Sequence, residues 1–219
     1  MDGTLVDSEL LTEPVIREFC KESGLGDVDY QWTDFHGVTW QQVARRIAGD
    51  HMPGANIAET ARQLHSIWDR SCKESPPMPV PGAKEAVIAA HACMSTAIVS
   101  SAYRDSIDLT VRQMGLESYM TGRFGAEDYA KSKPAPDGFL HAADVLQVPP
   151  QQCLVFEDSL AGLRSAREAG MAVIAITHRS NVAAGAAGLA DYAIRDFTHL
   201  EDGFFATISC ATQSSGRSG

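Results

Sequence analysis

The hydrophobic positions divide the chain into two parts with different periodicities. From residue 8 to residue 75 they recur every three or four residues, which is typical of amphipathic helices. In "NIAETARQLHSIWDRSCK", for example, Ile57, Ala61, Leu64 and Trp68 fall on one helical face. The segments "SELLTEPVIREFCKESG" and "TWQQVARRIAG" repeat this pattern and end at glycines, which commonly terminate helices. These segments predict a helical subdomain.

A different pattern follows the segment "SPPMPVPG", in which four of the eight residues are proline. Proline neither continues a helix nor pairs in a central strand, so we expect a stiff hinge here. Beyond the hinge, the apolar runs in "STAIVSS", "CLVFEDS", "MAVIAITH" and "DYAIRDF" alternate with helical segments. Strands alternating with helices predict an α/β fold with a doubly wound parallel sheet, covered by helices on both faces.

These patterns together predict three regions. Residues 1–12 and 76–210 form the α/β core, and residues 13–75 form a helical subdomain inserted into it. Residues 211–219, "ATQSSGRSG", are small and polar, and we expect them to form a disordered tail.

Composition and charge exclude several classes of partner. The 219 residues carry a formal net charge of −10, which argues against nucleic acid or an anionic membrane as the main partner. No apolar run approaches ~20 residues, so we expect no membrane span. The five cysteines include no C-x-x-C pair and favour free thiols in a reducing cytoplasm. The sequence does not fix the oligomeric state; a monomer is favoured.

The unusual polar residues follow predicted strands, where parallel sheets bind their ligands. Ser100 and Ser101 follow "AIV", Glu157 and Asp158 end "CLVFED", and Lys133 precedes a helix in "SKPAPD". Phosphoryl transfer needs hydrogen-bond donors for the phosphate, a fixed positive charge, and carboxylates that hold Mg²⁺. This combination favours a site for Mg²⁺ and a phosphate group.

Four segments occur in the order and at the approximate spacing of known motifs: "DGTLVDSE", "AIVSS", "SKPAPD" and "FEDSLAG". On these residues the chain resembles the haloacid dehalogenase superfamily of phosphohydrolases over nearly its whole length. Within it, the chain is similar to the branch with a helical cap that includes β-phosphoglucomutase and sugar-phosphate phosphatases. The resemblance implies Mg²⁺-dependent hydrolysis of a small phosphorylated metabolite, such as a sugar phosphate, through an aspartyl-phosphate intermediate.

The resemblance also implies a role for each matching catalytic residue. Asp2 is expected to be the general acid and base, since "DGT" matches the first motif from its second Asp onward. Ser100 is expected to donate its hydroxyl to the phosphate, with Ser101 beside it. Lys133 is expected to bind the phosphate and to offset its charge.

Metal binding and specificity are assigned in the same way. Glu157 and Asp158, with the backbone carbonyl of Asp2, are expected to hold Mg²⁺. His36 and Gly37, in "DFHGVTW", fall in the loop that contacts substrate in related caps, and we regard them as candidates for substrate specificity.

The first motif departs from the family pattern in one respect. The family's nucleophile is the first Asp of D-x-D-G-T; here Met1 occupies the x position, so that Asp and the central strand that carries it are absent. Losing a strand that buries about four apolar side chains, at ~1.5–3 kcal/mol each, rivals a domain's total stability of ~5–15 kcal/mol. We therefore expect a shortened reading frame rather than a natural loss, and an inactive chain as written.

Two alternative functions remain open at this point. The first is a phosphosugar mutase of the same family. Such mutases carry a His in the first cap helix, near Thr12, and an Arg in the cap loop, near Trp40, and neither is matched here. The second is a non-catalytic phosphate-binding protein, which the missing nucleophile favours and the presence of Asp2 disfavours.

Overall fold

The computed structural model describes residues 1–35, 39–178 and 185–215 and divides the chain into two compact units. The first unit comprises Met1–Val6 with Pro79–Gly219, and the second comprises Asp7–Met78. The second unit extends beyond the expected range of 13–75 at both ends. At its start, the 3₁₀ helix Glu9–Leu11 leads directly into the first α-helix and so belongs with the helical residues.

The regular elements follow the predicted alternation. The helices are, in chain order, Thr12–Glu22 (α1), Trp40–His51 (α2), Ile57–Glu74 (α3), Ala83–His91 (α4), Arg104–Met114 (α5), Asp137–Val145 (α6), Leu160–Glu168 (α7) and Phe204–Ser215 (α8). The strands are Val6–Asp7 (β1), Met78–Pro79 (β2), Ala97–Val99 (β3), Gly122–Phe124 (β4), Leu154–Glu157 (β5), Ala172–Ile176 (β6) and Tyr192–Ile194 (β7). Short 3₁₀ helices lie at Glu9–Leu11, Trp32–Phe35, Glu117–Tyr119, Pro150–Gln152 and Phe197–His199.

The second unit is built on α1, α2 and α3. Each helix buries one apolar stripe, represented by Phe19, Ile47 and Leu64, and these side chains meet in one core cluster. The start of α2 is fixed by a capping box, in which Thr39 and Gln42 exchange hydrogen bonds between side chains and backbone. Local signals therefore define this unit, and the three predicted helices are confirmed. The predicted end of α2 at Gly49 is wrong, because the helix continues to His51.

The first unit contains two parallel sheets. One pairs β3 with β4, and the other has the order β5-β6-β7. Among the described residues, no strand pairs with both β3 and β5. Helices cover both faces of the sheet that contains β5, because its adjacent residues Val155 and Phe156 point into different core clusters. The predicted α/β fold with parallel strands and helices is confirmed.

Strand β4 and helix α8 were not predicted, and strand β2, Met78–Pro79, lies within the segment that was expected to be a hinge. Strand β4 buries a single apolar side chain, Phe124, so it has no apolar run that a sequence pattern could detect. Helix α8 contradicts part of the expected tail, because it continues through residues 211–215. Its first residues, Phe204 and Phe205, pack against the core and start a helix that the following small polar residues extend. Residues 216–219 lie outside the described ranges.

Within the described ranges, no helix combines the length and the apolar character needed to cross a bilayer.

Candidate active site

Polar side chains collect where β3 and β5 end, within the first unit. Ser100 directly follows β3, and Glu157 is the last residue of β5, with Asp158 next in the chain. Ser100 is 4% exposed and Glu157 is 5% exposed, so both are shielded from water. Parallel strands place their carboxyl ends at one edge of a sheet, which explains why residues distant in sequence meet here.

A salt bridge between Lys133 and Glu157 joins the two strand ends. Lys133 Nζ lies 2.7 Å from Glu157 Oε2, with the side chains 13% and 7% exposed. The same ammonium group donates to the Val99 carbonyl at 3.4 Å, at the end of β3. Burial lowers the pKa of a lysine, but here the attraction of Glu157 outweighs it and holds the pKa of Lys133 above its usual value. Lys133 is therefore a fixed positive charge.

The Glu157 carboxylate is held in one orientation. Its Oε1 accepts hydrogen bonds from the backbone N–H groups of Asp158 and Ser159 and from the Ser159 hydroxyl, the last at 2.9 Å. Burial alone would raise the pKa of Glu157, but the charge of Lys133, the charge of the N-terminal amino group and the bond from the Ser159 hydroxyl keep it below its usual value. A Cβ on Gly162 would lie 2.0 Å from the Glu157 carboxyl carbon, so only glycine leaves room for this carboxylate.

Asp158 rests against the N-terminal residues Gly3 and Thr4. The Thr4 hydroxyl donates to Asp158 Oδ1 at 2.6 Å. Gly3 has φ +69°, and a Cβ there would lie 1.9 Å from Asp158 Oδ2, so both backbone conformation and space require glycine. Burial, and then the negative charge of Glu157, raise the pKa of Asp158 to about 7. The ionised form of Asp158 is therefore disfavoured beside the Glu157 carboxylate.

The segment after β3 has a second set of hydrogen bonds. Ser100 Oγ accepts a bond from the backbone N–H of Ala102 at 3.1 Å, so the hydroxyl keeps its own proton to donate. The Tyr129 hydroxyl donates to the Ser100 carbonyl at 2.7 Å. Ser101, the other phosphate-binding candidate, is exposed.

The remaining candidates have fewer contacts. Asp2 is half-buried, precedes Gly3 in the chain and forms a backbone bridge with Val6. Within the described ranges, no hydrogen bond or ion pair of the Asp2 side chain is found. His36 and Gly37 lie outside the described residues, so their assignment stays a prediction.

The structure thus brings Ser100, Lys133, Glu157 and Asp158 together, with Asp2 one residue from the glycine that touches Asp158. Sequence reasoning did not single out the residues that hold these groups, which are Gly3, Thr4, Tyr129, Ser159 and Gly162. Ser159 had a detectable signal, because serine directly before a helical pattern is a typical N-cap. Thr4 lies within the motif "DGT", but its contact with Asp158 could not be predicted, since the two residues are 154 positions apart.

The donors in this cluster suit a hard divalent cation. Glu157 and Asp158 offer carboxylate oxygens, and Mg²⁺ prefers oxygen ligands from one or two carboxylates, completed by water and phosphate. A divalent cation would also offset the negative charge of Glu157, which adds to burial in raising the pKa of Asp158. Among the described residues, however, no three side chains of His, Cys, Asp or Glu gather as a ready-made metal cage. These residues therefore suit a metal ion that takes several of its ligands from water and phosphate.

Residues 1–176 match the family of haloacid dehalogenase-like hydrolases. That match covers both sheets as far as the end of β6, and all the residues of the cluster described above.

Three curated relatives are similar to this chain. Protein SUPPRESSOR OF QUENCHING 1 of Arabidopsis thaliana is 31% identical over 180 residues, which cover 80% of this chain and 17% of that protein. Fructose-1-phosphate phosphatase YqaB of Escherichia coli is 29% identical over 175 residues, covering 78% of this chain and 90% of that protein. β-Phosphoglucomutase of Mycobacterium bovis is 37% identical over 122 residues, covering 53% and 46%.

A solved structure shares the fold. The crystal structure of a HAD hydrolase of family IA, variant 3, from Entamoeba histolytica matches with a TM-score of 0.80 and covers 96% of each chain. At 21% identity, this likeness concerns the fold alone.

Proposed function

This chain belongs to the haloacid dehalogenase-like hydrolase family, and we propose that it is built for the hydrolysis of a small phosphorylated metabolite. The observation that carries the proposal is the shielded ion pair of Lys133 and Glu157, with Asp158 on one side and Ser100 on the other. It combines a fixed positive charge, two carboxylates and a hydroxyl donor, which are the groups that a phosphate ester and its metal ion require.

Each residue has a distinct task in this proposal. Lys133 attracts the phosphate oxygens and offsets the charge that develops on them in the transition state. The Ser100 hydroxyl donates to one phosphate oxygen, and Ser101 contributes its backbone N–H. Asp2 protonates the oxygen of the departing alcohol and then accepts a proton from the water that releases the phosphate.

Covalent catalysis also requires a carboxylate that attacks phosphorus. In the pattern that "DGTLVDSE" resembles, this Asp stands two positions before Asp2, a position that the printed sequence does not include. We propose that turnover depends on such a residue, and that the 219 residues alone bind phosphate without hydrolysing its esters. Loss of a nucleophile typically costs on the order of 10⁴–10⁶ in rate.

The proposal includes Mg²⁺ as the metal ion. Glu157 and Asp158 would hold it, together with the backbone carbonyl of Asp2. When bound, Mg²⁺ neutralises phosphate charge and so lets a carboxylate approach the phosphorus. Ser159 and Thr4 contribute by fixing the two carboxylates, through hydrogen bonds of 2.9 Å and 2.6 Å.

A sugar phosphate is the substrate class that the relatives favour. One relative is named as a fructose-1-phosphate phosphatase, and another as a β-phosphoglucomutase. The second name supports a mutase as the other candidate, in which the phosphoryl group passes to a sugar instead of water.

The free thiols of Cys20, Cys72, Cys93 and Cys153 support a reducing compartment, the cytoplasm.

The experiment compares three proteins on a panel of sugar phosphates, with phosphate release and isomer formation both measured. They are the 219-residue chain, the chain preceded by an apolar segment of roughly ten residues ending in Asp, and the same extension ending in Asn. We expect phosphate release from the Asp extension only. Isomerised sugar phosphate without free phosphate would favour the mutase. Turnover by the 219-residue chain would contradict the role given to Asp2, and no turnover by any of the three would contradict the proposed reaction.

A further inference from the structure

Three successive side chains of one loop hold the segment that follows β3. Glu127 Oε1 accepts the backbone N–H of Arg104 at 2.8 Å, at the start of α5. Asp128 Oδ2 accepts the Arg104 guanidinium at 2.7 Å. The Tyr129 hydroxyl donates to the Ser100 carbonyl at 2.7 Å. The loop therefore contacts both ends of the segment from Ser100 to Arg104, which contains the phosphate-binding candidates.

The Tyr129 ring occupies a site that is shaped for it. A Cβ on Gly138, near the start of α6, would lie 3.0 Å from the ring, so the glycine leaves the space that the phenol fills. Burial raises the pKa of Tyr129, and Lys133 and Ser101 only partly oppose that rise. The phenol therefore keeps its proton and acts as a hydrogen-bond donor toward Ser100.

The hydrogen bond of Tyr129 completes the fixation of Ser100. The Ser100 backbone N–H donates to the Phe124 carbonyl at 3.0 Å, its Oγ accepts from Ala102, and its carbonyl accepts from Tyr129. These three bonds leave the hydroxyl proton of Ser100 as the donor available to a ligand. Because a carbonyl and the next N–H share one rigid peptide plane, the bond from Tyr129 also orients the N–H of Ser101.

We infer that Tyr129 is a positioning residue for phosphate binding, which acts through the Ser100 carbonyl without touching the phosphate. The inference rests on the proposed function, since it assumes that Ser100 and the N–H groups after it hold a phosphate. Tyr129 would set the direction of two donors, the Ser100 hydroxyl and the Ser101 N–H. Glu127 and Asp128 would hold the far end of the same segment in place.

The test is calorimetric titration of the 219-residue chain with inorganic phosphate in the presence of Mg²⁺, and separately with Mg²⁺ alone. Tyr129→Phe removes only the hydroxyl, and Tyr119→Phe is the matched control, because Tyr119 packs on the core next to His91. We expect Tyr129→Phe to bind phosphate roughly threefold to tenfold more weakly, as the loss of one hydrogen bond implies. Its affinity for Mg²⁺ should be unchanged, because in the described part of the chain no hydrogen bond joins Tyr129 to Glu157 or Asp158.

A second variant tests the same bond with the hydroxyl present. Gly138→Ala should push the Tyr129 ring away from Ser100 and weaken phosphate binding in the same way, at unchanged Mg²⁺ affinity. Equal phosphate affinity in wild type, Tyr129→Phe and Gly138→Ala would overturn the inference while leaving the proposed function intact. Parallel losses of phosphate and Mg²⁺ affinity would also overturn it, since they indicate general disruption. Failure of the wild type itself to bind phosphate would instead contradict the proposed function.

Discussion

Lys133 Nζ lies 2.7 Å from Glu157 Oε2, and both side chains are almost fully shielded from water. Lys133 lies in the loop before α6, and Glu157 is the last residue of β5. Their contact therefore joins the two parallel sheets of the first unit. A shielded charge is costly to leave unpaired, and its removal should therefore be visible in the stability of the protein.

Lys133→Met should lower the free energy of unfolding by about 3 kcal/mol or more, because it leaves Glu157 buried without its partner. The double variant Lys133→Met with Glu157→Gln should be less destabilised than the single one, since both charges are then gone. Urea unfolding measures both. Lys131→Met is the control at an exposed lysine two positions away and should change stability by no more than about 0.5 kcal/mol. Equal effects at Lys131 and Lys133 would show that the ion pair is not shielded.

Gly162 and Gly49 should respond oppositely to alanine. Alanine in a helix is normally more stable than glycine by roughly 0.5–1 kcal/mol, and we expect this gain at Gly49 in α2, where a Cβ would meet nothing within 4 Å. At Gly162 in α7 the Cβ would collide with the Glu157 carboxylate, and we expect a loss of about 1–3 kcal/mol. Thermal or urea unfolding measures whether each substitution raises or lowers stability. A gain in stability at Gly162 would contradict the close packing of Glu157.

Mg²⁺ should stabilise the folded chain through Asp158. A ligand at 100 times its Kd stabilises by about 2.7 kcal/mol, so the unfolding midpoint should rise with Mg²⁺ in the wild type. Asp158→Asn should remove most of that rise, whereas the exposed Asp144→Asn should retain it. Without metal, Asp158→Asn should not lower stability, because burial and the nearby charge of Glu157 already disfavour the ionised form of Asp158. An equal response to Mg²⁺ in all three proteins would place the metal elsewhere.

Asp196 should make stability depend on pH in the acid range. Hydrogen bonds from the Thr198 side chain and from His199 lower the pKa of Asp196 below its usual value. Because the pKa is lower in the folded state, this stabilisation is complete above the unfolded value of about 3.9 and is lost as the pH falls through the folded pKa. Asp196 is the N-cap of the 3₁₀ helix Phe197–His199, where its side chain accepts the backbone N–H of Thr198. Asp196→Ala should therefore cost about 1 kcal/mol at pH 7, where this cap is intact. The difference should narrow at pH 3, as urea unfolding at both pH values would measure; a constant difference would contradict the assignment.

The sequence predicted the elements whose signals are local. Helix α2 has its capping residues and apolar stripe within twelve positions, so its start and its buried face could both be predicted. Strand β4 could not be predicted, because main-chain pairing with β3 holds it in place and Phe124 is its one buried apolar residue. Helix α8 was missed for a related reason, since its stability comes from the packing of Phe204 and Phe205 on the core.

The candidate site could also be predicted only in part. Lys133, Glu157 and Asp158 could be named because they lie in motifs whose order resembles a known family. The contacts that orient them could not be predicted, because contacts such as that of Thr4 with Asp158 join positions far apart in the chain. Tyr129 is the clearest case: nothing in "GAEDYAKSK" indicates that its hydroxyl reaches Ser100.

The most direct measurement for the phosphatase account is the affinity of the 219-residue chain for inorganic phosphate with Mg²⁺ present, in wild type, Lys133→Met and Lys131→Met. The account predicts that wild type and Lys131→Met bind with the same Kd and that Lys133→Met binds at least about tenfold more weakly, since a charge-assisted bond contributes roughly 1.5–3 kcal/mol. Circular dichroism should verify that each variant is folded at the temperature of the titration. Equal phosphate affinity in a folded Lys133→Met variant would contradict the central claim that this ion pair marks a phosphate site.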